Sequence, residues 1–292
     1  MGENPKTERK TKKGVQQFML GRVLNSEKRA RETLAAVKAA GYDGLELCAF
    51  MVRPTSLAVR AITRLSGMPV GKGGKLDWPQ LMAETGLETL SFHTDFGTLG
   101  KDPGKSIREA RRLGTDRIVI TAAYGYPYGD ETQVHALAES LNALGRELRG
   151  EGISLLYHNH NVELARLPSG RRAYDILIDG TDPDAVNFEF DSYWFAEGGA
   201  DPLFWMGRLG ARMKMWHVND RGARLKGKPM TPILSSDSME LGTGNMPLDA
   251  LFERAMSLGV CAAVLESHRN WIGGSPVESL KKSAEFMNKK IP

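Results

Sequence analysis

One local pattern recurs along the chain and limits the folds open to it: an amphipathic helical segment, then a glycine, then a short apolar run. The glycines of this pattern are Gly41, Gly86, Gly114, Gly152, Gly210 and Gly259. Glycine takes the left-handed conformation that ends a helix at no steric cost. The pattern therefore predicts helices ahead of these glycines, at residues 27–40, 76–84, 105–113, 131–148, 202–209 and 247–258.

The apolar runs predict buried strands at residues 15–20, 44–48, 89–93, 117–121, 154–158, 186–191, 213–217 and 262–266. Their apolar character is continuous rather than alternating, which is typical of parallel strands covered by helices. Eight strands alternating with helices in 292 residues predict an α/β fold, a (β/α)8 TIM barrel in a single domain. A doubly wound sheet is the competing interpretation, but Gly21-Arg22-Val23-Leu24 is not the glycine-rich turn that such a sheet carries after its first strand.

Charge divides the chain into two parts. Residues 1–13 carry a net charge of +3 and predict a disordered basic tail, whereas residues 14–292, the predicted barrel domain, carry only +1. A nearly neutral body argues against a nucleic-acid surface. No stretch approaches the roughly 18 consecutive apolar residues of a membrane span. The tail lacks the apolar centre of a signal peptide, so we expect a cytoplasmic protein, and the sequence leaves open whether it forms a homo-oligomer.

Two connections between predicted elements are longer than the rest. Residues 51–75 include a predicted short helix at 56–66 and the flexible segment Gly71-Lys72-Gly73-Gly74, and residues 221–245 follow the seventh strand. Both fall on the carboxyl-terminal face of a barrel, where active sites are built, so we expect them to cover a substrate. Residues 242–245 could offer backbone N–H groups to a phosphate, but a turn leading into the next helix is the favoured interpretation.

Polar residues close four of the apolar runs: His158, Asp191, His217 and Glu266. In a barrel these residues, each about one strand–helix unit apart, meet at one rim. Any one of them alone could be a hydrogen-bonded rim residue. Two imidazoles and two carboxylates together suit one divalent cation, with Mn²⁺ as the first expectation and Zn²⁺, Co²⁺ or Mg²⁺ as alternatives.

Further polar residues lie near the same rim. Glu46 and His93 are candidates for binding substrate hydroxyls, or are satisfied structural groups, and Trp194 and His268 are further candidate substrate contacts. The Trp194 ring could stack on a sugar. Glu189 points to the same side of its strand as Asp191 and is interpreted as an interior polar group without an assigned role.

Five segments in this order resemble the sugar phosphate isomerase/epimerase family, which has the xylose-isomerase-like TIM barrel. They are Gly41-Tyr42-Asp43-Gly44-Leu45-Glu46, Tyr157-His158-Asn159-His160, Asp191-Ser192-Tyr193-Trp194 with Gly198-Gly199-Ala200-Asp201-Pro202, Trp216-His217-Val218-Asn219-Asp220, and Gly242-Thr243-Gly244-Asn245. The resemblance implies a barrel that binds one divalent metal through His158, Asp191, His217 and Glu266. It also contains a departure. Many members carry a glutamate where His158 stands and use it with the last glutamate as an acid/base pair, so here His160 or Glu163 is the candidate second base.

The chemistry that such a site predicts is removal of a proton next to a carbonyl. A metal that binds the carbonyl oxygen and its neighbour stabilises the enediolate, while a positioned base, here Glu266, takes the proton. The first prediction is isomerisation or epimerisation of a sugar or sugar derivative. The alternative is metal-assisted β-elimination on a keto-sugar or keto-glycoside (a dehydratase, lyase or deglycosidase), to which a single-base site is better suited. An abasic-site endonuclease and a non-enzymatic sugar-binding protein are less favoured.

Overall fold

The computed structural model describes residues 10–54, 73–121, 125–225 and 227–292. The predicted short helix at 56–66 lies outside the described residues, as do residues 71 and 72 of the flexible glycine segment. The first nine residues of the predicted tail are also outside them.

Eight strands close into a parallel barrel in the order β1-β10-β7-β6-β5-β4-β3-β2. The barrel strands are β1 (Lys12–Gln16), β2 (Gly44–Cys48), β3 (Glu88–Asp95), β4 (Arg117–Thr121), β5 (Ser154–His158), β6 (Val186–Asp191), β7 (Met213–Val218) and β10 (Ala262–Leu265). Two short strands, β8 (Asp220–Gly222) and β9 (Asp237–Met239), pair antiparallel as a separate hairpin. The predicted (β/α)8 barrel in a single domain is confirmed.

Helices cover the outside of the barrel and connect its strands. Within the described ranges they are α1 (Glu27–Ala39), α2 (Ala49–Val52), α3 (Trp78–Thr85), α4 (Phe96–Lys101), α5 (Pro103–Leu113), α6 (Glu131–Gly150), α7 (Ala173–Gly180), α8 (Ser192–Glu197), α9 (Pro202–Leu209), α10 (Leu248–Ser257) and α11 (Pro276–Lys290). All six predicted helices are present, with ends shifted by no more than about two residues. Helix α7 was not predicted, because the strand that follows it begins without the glycine signal used elsewhere.

The glycine pattern has the predicted physical basis. All six glycines of the repeat have a positive φ, including 63° at Gly86 and 79° at Gly114, the residues that end α3 and α5. A residue with a side chain is strained in this conformation. The repeated glycines therefore indicate where each of these helices ends and the chain returns to the barrel.

The first strand differs from the prediction. Strand β1 covers Lys12–Gln16, and residues 17–20, predicted as strand, form a buried 3₁₀ turn instead. Lys12 pairs with Ala262 of β10, and the Lys12 ammonium bonds to Glu88. The predicted boundary between tail and barrel therefore falls inside β1. The apolar pattern does not show where this strand starts, because its first two residues are lysines, whose aliphatic parts can pack against the protein while their ammonium groups stay in water.

Inside the barrel, an apolar layer supports a polar layer. The apolar layer consists of Leu90, Val119, Leu156, Met215, Ala262 and Val264. Side chains two residues apart on a strand point the same way, so the next inward positions on β5 and β7, and the one just past β10, are His158, His217 and Glu266. The strands that build the floor of the interior therefore also carry the candidate site.

The connection after β7 is organised by one carboxylate. Asp220 accepts hydrogen bonds from the backbone N–H groups of Gly242, Gly244 and Met246, at 3.0, 2.8 and 3.1 Å. These N–H groups are therefore engaged within the protein. The interpretation of residues 242–245 as a turn is confirmed, and the phosphate alternative is not supported.

Candidate metal centre

The structure brings the four predicted metal ligands together. One candidate ligand atom from each of His158, Asp191, His217 and Glu266 lies within 4.8 Å of every other, and all four residues are buried. Bonds from protein nitrogen and oxygen to Zn²⁺ are about 2.0–2.2 Å long. A group of this size could therefore surround a single cation.

Strand ends and a helix cap hold these residues in place. His158 and Asp191 are the last residues of β5 and β6, and Glu266 follows β10 directly. Asp191 also caps helix α8, because its Oδ1 accepts a hydrogen bond of 3.0 Å from the Trp194 N–H. The cap uses one carboxylate oxygen and leaves the other facing the cluster.

His217 occupies the middle of the site and is fully buried. Its Nδ1 lies 2.9 Å from Glu266 Oε2 and 3.9 Å from Asp191 Oδ2. Its Nε2 lies 3.1 Å from both Glu46 Oε1 and Glu189 Oε2. One imidazole thus contacts four carboxylates.

The charges in this cluster shift each other's titration. Burial and the neighbouring Glu266 raise the pKa of Asp191 well above its ordinary value. Burial alone would raise the pKa of Glu266, but His217 and His268 hold it well below its ordinary value. Burial opposes protonation of His217, yet Glu189, Glu266 and Glu46 raise its pKa. Without a metal, a proton on His217 and one on Asp191 thus lower the repulsion among the buried carboxylates.

The donor set fits a divalent cation. His158 Nδ1 is buried and makes no hydrogen bond within the described residues, and burial together with His217 lowers the pKa of His158, which favours the neutral, metal-binding form. A buried nitrogen without a partner costs free energy. Two imidazoles and two carboxylates are ligands that Mn²⁺, Zn²⁺ and Co²⁺ accept.

A second group lies against the first. One candidate ligand atom from each of Glu46, His93 and Glu189 is also within 4.8 Å of the others. Glu46 accepts hydrogen bonds from Gln16 and Ser91, and its Oε1 lies 2.8 Å from His93 Nδ1. The Glu46 carboxylate is thus engaged by protein groups, which does not favour the predicted direct contact with a substrate hydroxyl.

Aromatic and imidazole rings line one side of the cluster. The His160 ring centre is 5.1 Å from that of His158 and 5.6 Å from that of Trp194, and Trp194 is 5.2 Å from His268. His268 Nε2 lies 3.7 Å from Glu266 Oε1. The predicted residues His160, Trp194 and His268 therefore form one continuous wall beside the candidate ligands.

Three buried nitrogens near the cluster have no hydrogen-bond partner in the described parts of the chain: His93 Nε2, His160 Nδ1 and Trp194 Nε1. Burial lowers the pKa of His160 to about 4, so its imidazole is neutral at pH 7. Native proteins leave few buried polar atoms unsatisfied. These three nitrogens are therefore available to a polar ligand.

Glu163 is the exception among the predicted catalytic residues. Its Oε1 accepts a hydrogen bond of 2.7 Å from the Tyr157 hydroxyl, and its Oε2 accepts one of 3.0 Å from the His160 N–H. Tyr157 belongs to the core around the barrel because alternation turns it away from His158. The structure therefore does not bring the Glu163 carboxylate into the cluster, and its predicted part as second base lacks structural support.

Sequence reasoning missed Gln16. This residue ends β1, and its amide bonds to Glu46 while its carbonyl oxygen accepts from the Cys48 thiol at 2.9 Å. The signal was a polar residue at a strand end, as for the four ligands. It was hidden because the first strand was predicted to run on to residue 20.

Comparison with known proteins places the chain in a family. A family model described as xylose isomerase-like TIM barrel matches residues 34–290, so the chain belongs to this family and the predicted resemblance is confirmed. In the described part of the chain, no helix combines the length and the apolar character needed to cross a membrane.

Individual relatives carry more than one activity in their names. An inosose dehydratase of Mesomycoplasma hyopneumoniae is 31% identical over 94 residues, which are 32% of this chain and 30% of that protein. The match thus spans less than a third of that relative. Among solved structures, a sugar phosphate isomerase/epimerase of Parabacteroides distasonis has a TM-score of 0.76 at 22% identity, covering 100% of this chain and 98% of its own.

A further solved structure, an IolI protein with a bound zinc atom, has a TM-score of 0.66 at 13% identity and covers 96% of this chain and 98% of its own. Identities this low show a shared fold. The names of the other two relatives describe enzymes, which confirms the prediction of an enzyme at that level, and they divide between isomerisation and dehydration.

Proposed function

We propose that this protein is a metal-dependent enzyme that removes a proton next to the carbonyl of a keto-sugar or keto-glycoside and completes the reaction by β-elimination. The observation that carries the proposal is the meeting of four buried ligand-type side chains beside a wall in which His160 Nδ1 and Trp194 Nε1 have no hydrogen-bond partner within the described residues. The dehydratase name of the relative supports elimination, and the zinc in the similar structure supports a metal.

The cation would be held by His158, Asp191, His217 and Glu266. When bound, it supplies a positive charge that polarises a carbonyl and stabilises the negative charge that develops on oxygen. Mn²⁺ stays the first expectation from the sequence, and Zn²⁺, Co²⁺ or Mg²⁺ are the alternatives.

Glu266 is the proposed base because its two oxygens face different groups. Its Oε2 contacts His217 Nδ1 at 2.9 Å, and its Oε1 lies 3.7 Å from His268 Nε2, on the side of the ring wall. His217 and His268 keep this carboxyl in its charged form despite burial. One oxygen can therefore belong to the ligand set while the other accepts a proton.

His160 is the proposed second acid/base group. Its neutral ring lies between His158 and Trp194, and its Nδ1 is without a protein partner in the described residues. Because Glu163 is bound to Tyr157 instead, the site lacks the pair of carboxylates that epimerisation at one carbon would use on opposite faces. Elimination requires a base at one carbon and stabilisation of the leaving oxygen on the next. Glu266 can provide the base, and the N–H of the neutral His160 ring can donate a hydrogen bond to the leaving oxygen.

The proposed substrate contacts are His93, Trp194 and His268. His93 Nε2 and Trp194 Nε1 are buried and have no partner among the residues that the structure describes, so they are suited to hydroxyl or carbonyl oxygens of a small carbohydrate. Loss of such a contact typically costs about 0.5–1.5 kcal/mol or more of binding free energy.

The cytoplasmic location stays a prediction from residues 1–13.

Isomerisation or epimerisation is the second candidate, because the same proton transfer to Glu266 begins it. It differs in the last step, where a proton returns to carbon and no substituent leaves. The name of the sugar phosphate isomerase/epimerase relative is consistent with this outcome.

The test is incubation of Mn²⁺-loaded protein in D₂O with a panel of ketoses and with 4-nitrophenyl glycosides oxidised to the ketone at carbon 3. In these glycosides the proton at carbon 2 is next to the carbonyl and the aglycone at carbon 1 is in the β position. Release of nitrophenolate supports elimination, whereas deuterium at carbon without loss of a substituent supports the second candidate. If neither nitrophenolate release nor deuterium incorporation is seen with any compound of the panel, both candidate functions are contradicted.

Variants assign the roles. Glu266→Gln is expected to abolish both aglycone release and deuterium exchange, and His160→Asn to lower release by roughly 10²–10⁴-fold. Glu163→Gln is expected to retain turnover. If Glu163→Gln folds normally and loses turnover as completely as Glu266→Gln, the assignment of the second group to His160 is wrong.

A further inference from the structure

The imidazole of His217 separates two pairs of carboxylates. Nδ1 faces Glu266 and Asp191, whereas Nε2 lies 3.1 Å from both Glu46 Oε1 and Glu189 Oε2. The side chain is fully buried. The two ring nitrogens therefore face different pairs of carboxylates.

We propose that Glu46 and Glu189 are positioning residues that hold the proton of His217 on Nε2 and so reserve Nδ1 for the cation. The inference rests on the proposed metal site and adds the two residues that orient one of its ligands. A metal-binding histidine usually donates its other ring N–H to a carboxylate, which fixes the tautomer and the orientation of the ring. Here Nε2 is within hydrogen-bond distance of Glu46 Oε1, and Glu189 Oε2 lies equally near, at 3.1 Å.

The two carboxylates are held in different ways. Glu46 is fixed by Gln16, Ser91 and His93, which bond to its oxygens. Glu189 is fully buried, and neither of its oxygens has a well-formed hydrogen bond within the described residues. Its Oε2 lies 3.1 Å from His217 Nε2 and 3.4 Å from His158 Nδ1. Glu46 is therefore the rigid acceptor, and Glu189 depends on the histidines for its partners.

A buried carboxylate without such partners is costly to retain. Glu189 stands two residues before Asp191 on β6 and faces the same interior. Its position is explained if it acts on the ligands rather than on the substrate. Leucine at this position would remove the cost of burial, so a stabilised but metal-deficient variant is the expected result of that change.

The competing interpretation is a second cation held by Glu46, His93 and Glu189, whose candidate ligand atoms also lie within 4.8 Å of one another. His217 Nε2 stands against both of the carboxylates involved. A proton on Nε2 and a second cation at the same place exclude each other, so one titration distinguishes them.

The experiment measures Zn²⁺ affinity and stoichiometry by competition with a chromophoric chelator. The proteins are the metal-stripped wild type, Glu189→Leu, Glu46→Gln and the double variant. We expect one Zn²⁺ per chain, about a 10-fold loss of affinity in each single variant and about a 100-fold loss in the double variant. Glu240→Gln is the matched control, since Glu240 is a buried carboxylate bound instead to Ser279, and should bind Zn²⁺ like the wild type.

Two results would overturn the proposal. One is wild-type affinity in a folded double variant. The other is two Zn²⁺ per wild-type chain falling to one in Glu189→Leu, which would establish the second cation. Failure to bind any Zn²⁺ in the wild type would instead refute the proposed metal site itself. Thermal melting of each metal-free variant distinguishes loss of affinity from loss of folding.

A spectroscopic readout requires no change at either glutamate. The chain has six histidines, so ¹⁵N-histidine labelling gives a spectrum simple enough for assignment by a His217→Gln variant. In the Zn²⁺-loaded protein we expect His217 to carry its one proton on Nε2, and we expect the Nδ1 signal to be the one that shifts when Zn²⁺ is added. A proton on Nδ1 in the Zn²⁺-loaded protein, with the shift at Nε2, would reverse the assignment and contradict the proposal even if both glutamate variants failed to fold.

Discussion

Replacing Asp191 by asparagine is expected to have opposite effects on the metal-free and the metal-loaded protein. Asparagine keeps the size of the side chain and an oxygen for the Trp194 N–H that caps α8. It removes the negative charge that burial and Glu266 disfavour in the absence of metal. The metal-free variant should therefore melt at the same or a higher temperature than the wild type, although it has lost a proposed ligand.

The size of the metal effect follows from binding linkage. A cation at 100 times its dissociation constant stabilises the folded state by about 2.7 kcal/mol. Since unfolding entropy is about 2.1 cal/mol/K per residue, a chain of 292 residues should gain about 4 °C in melting temperature. If the variant binds about 100-fold more weakly, the upper end of what supporting groups alone contribute, the gain at the same concentration falls below about 1 °C.

The assay is a thermal melt of chelator-treated protein with increasing Mn²⁺, Zn²⁺, Co²⁺ or Mg²⁺. Asp201→Asn is the matched control, because Asp201 caps α9 through the Leu203 N–H and is exposed, away from the cluster. The control should keep the full rise in melting temperature. A full rise in Asp191→Asn, or none in the wild type with any of the four cations, would refute the reasoning.

Three further predictions concern stability. Gly145→Ala should lower the free energy of unfolding by about 1–3 kcal/mol in urea titrations, because a Cβ there would lie 2.3 Å from the Ala185 carbonyl oxygen. Gly150→Ala serves as the control, because a Cβ at that position would meet open space. Burial raises the pKa of Glu163 to about 7 from a usual 4.5, so the folded state binds the extra proton between these values and its stability falls as pH rises through them. The advantage of wild type over Glu163→Gln should shrink by about 1.4 kcal/mol per pH unit there, and a constant difference would contradict the burial effect. Asp220→Ala should speed amide hydrogen exchange in the turn that Asp220 holds, and unchanged exchange would show that its hydrogen bonds are dispensable.

The fold was predictable because its repeating unit produces two kinds of signal in the sequence. A glycine is required where each helix ends, and a continuous apolar run is required where each strand is covered on the outside by helices and fills the interior. The error at β1 shows the limit of the second signal, the continuous apolar run. Residues 17–20 are as apolar as a strand but form a 3₁₀ turn, and burial alone does not distinguish the two.

The candidate site was predictable where chemistry and spacing coincide. His158, Asp191, His217 and Glu266 each stand where a strand ends, and parallel strands bring their ends to one rim. Glu163 was not predictable in this way, because it lies past a strand end and the direction of its side chain depends on the partner it finds. That partner is Tyr157, which no spacing rule identifies.

The division of the barrel interior into two layers explains how one fold can support several reactions. The lower layer of apolar side chains holds the strands together, and the upper layer comes from positions two residues further along the same strands or just beyond them. A substitution in the upper layer therefore changes the charge and the available proton acceptors without changing the floor on which the barrel packs. Histidine at position 158, where many relatives of this type carry glutamate, is such a change. It keeps a proposed ligand for the cation but removes one carboxylate base, so the same position serves the proposed metal site and favours elimination as the proposed reaction.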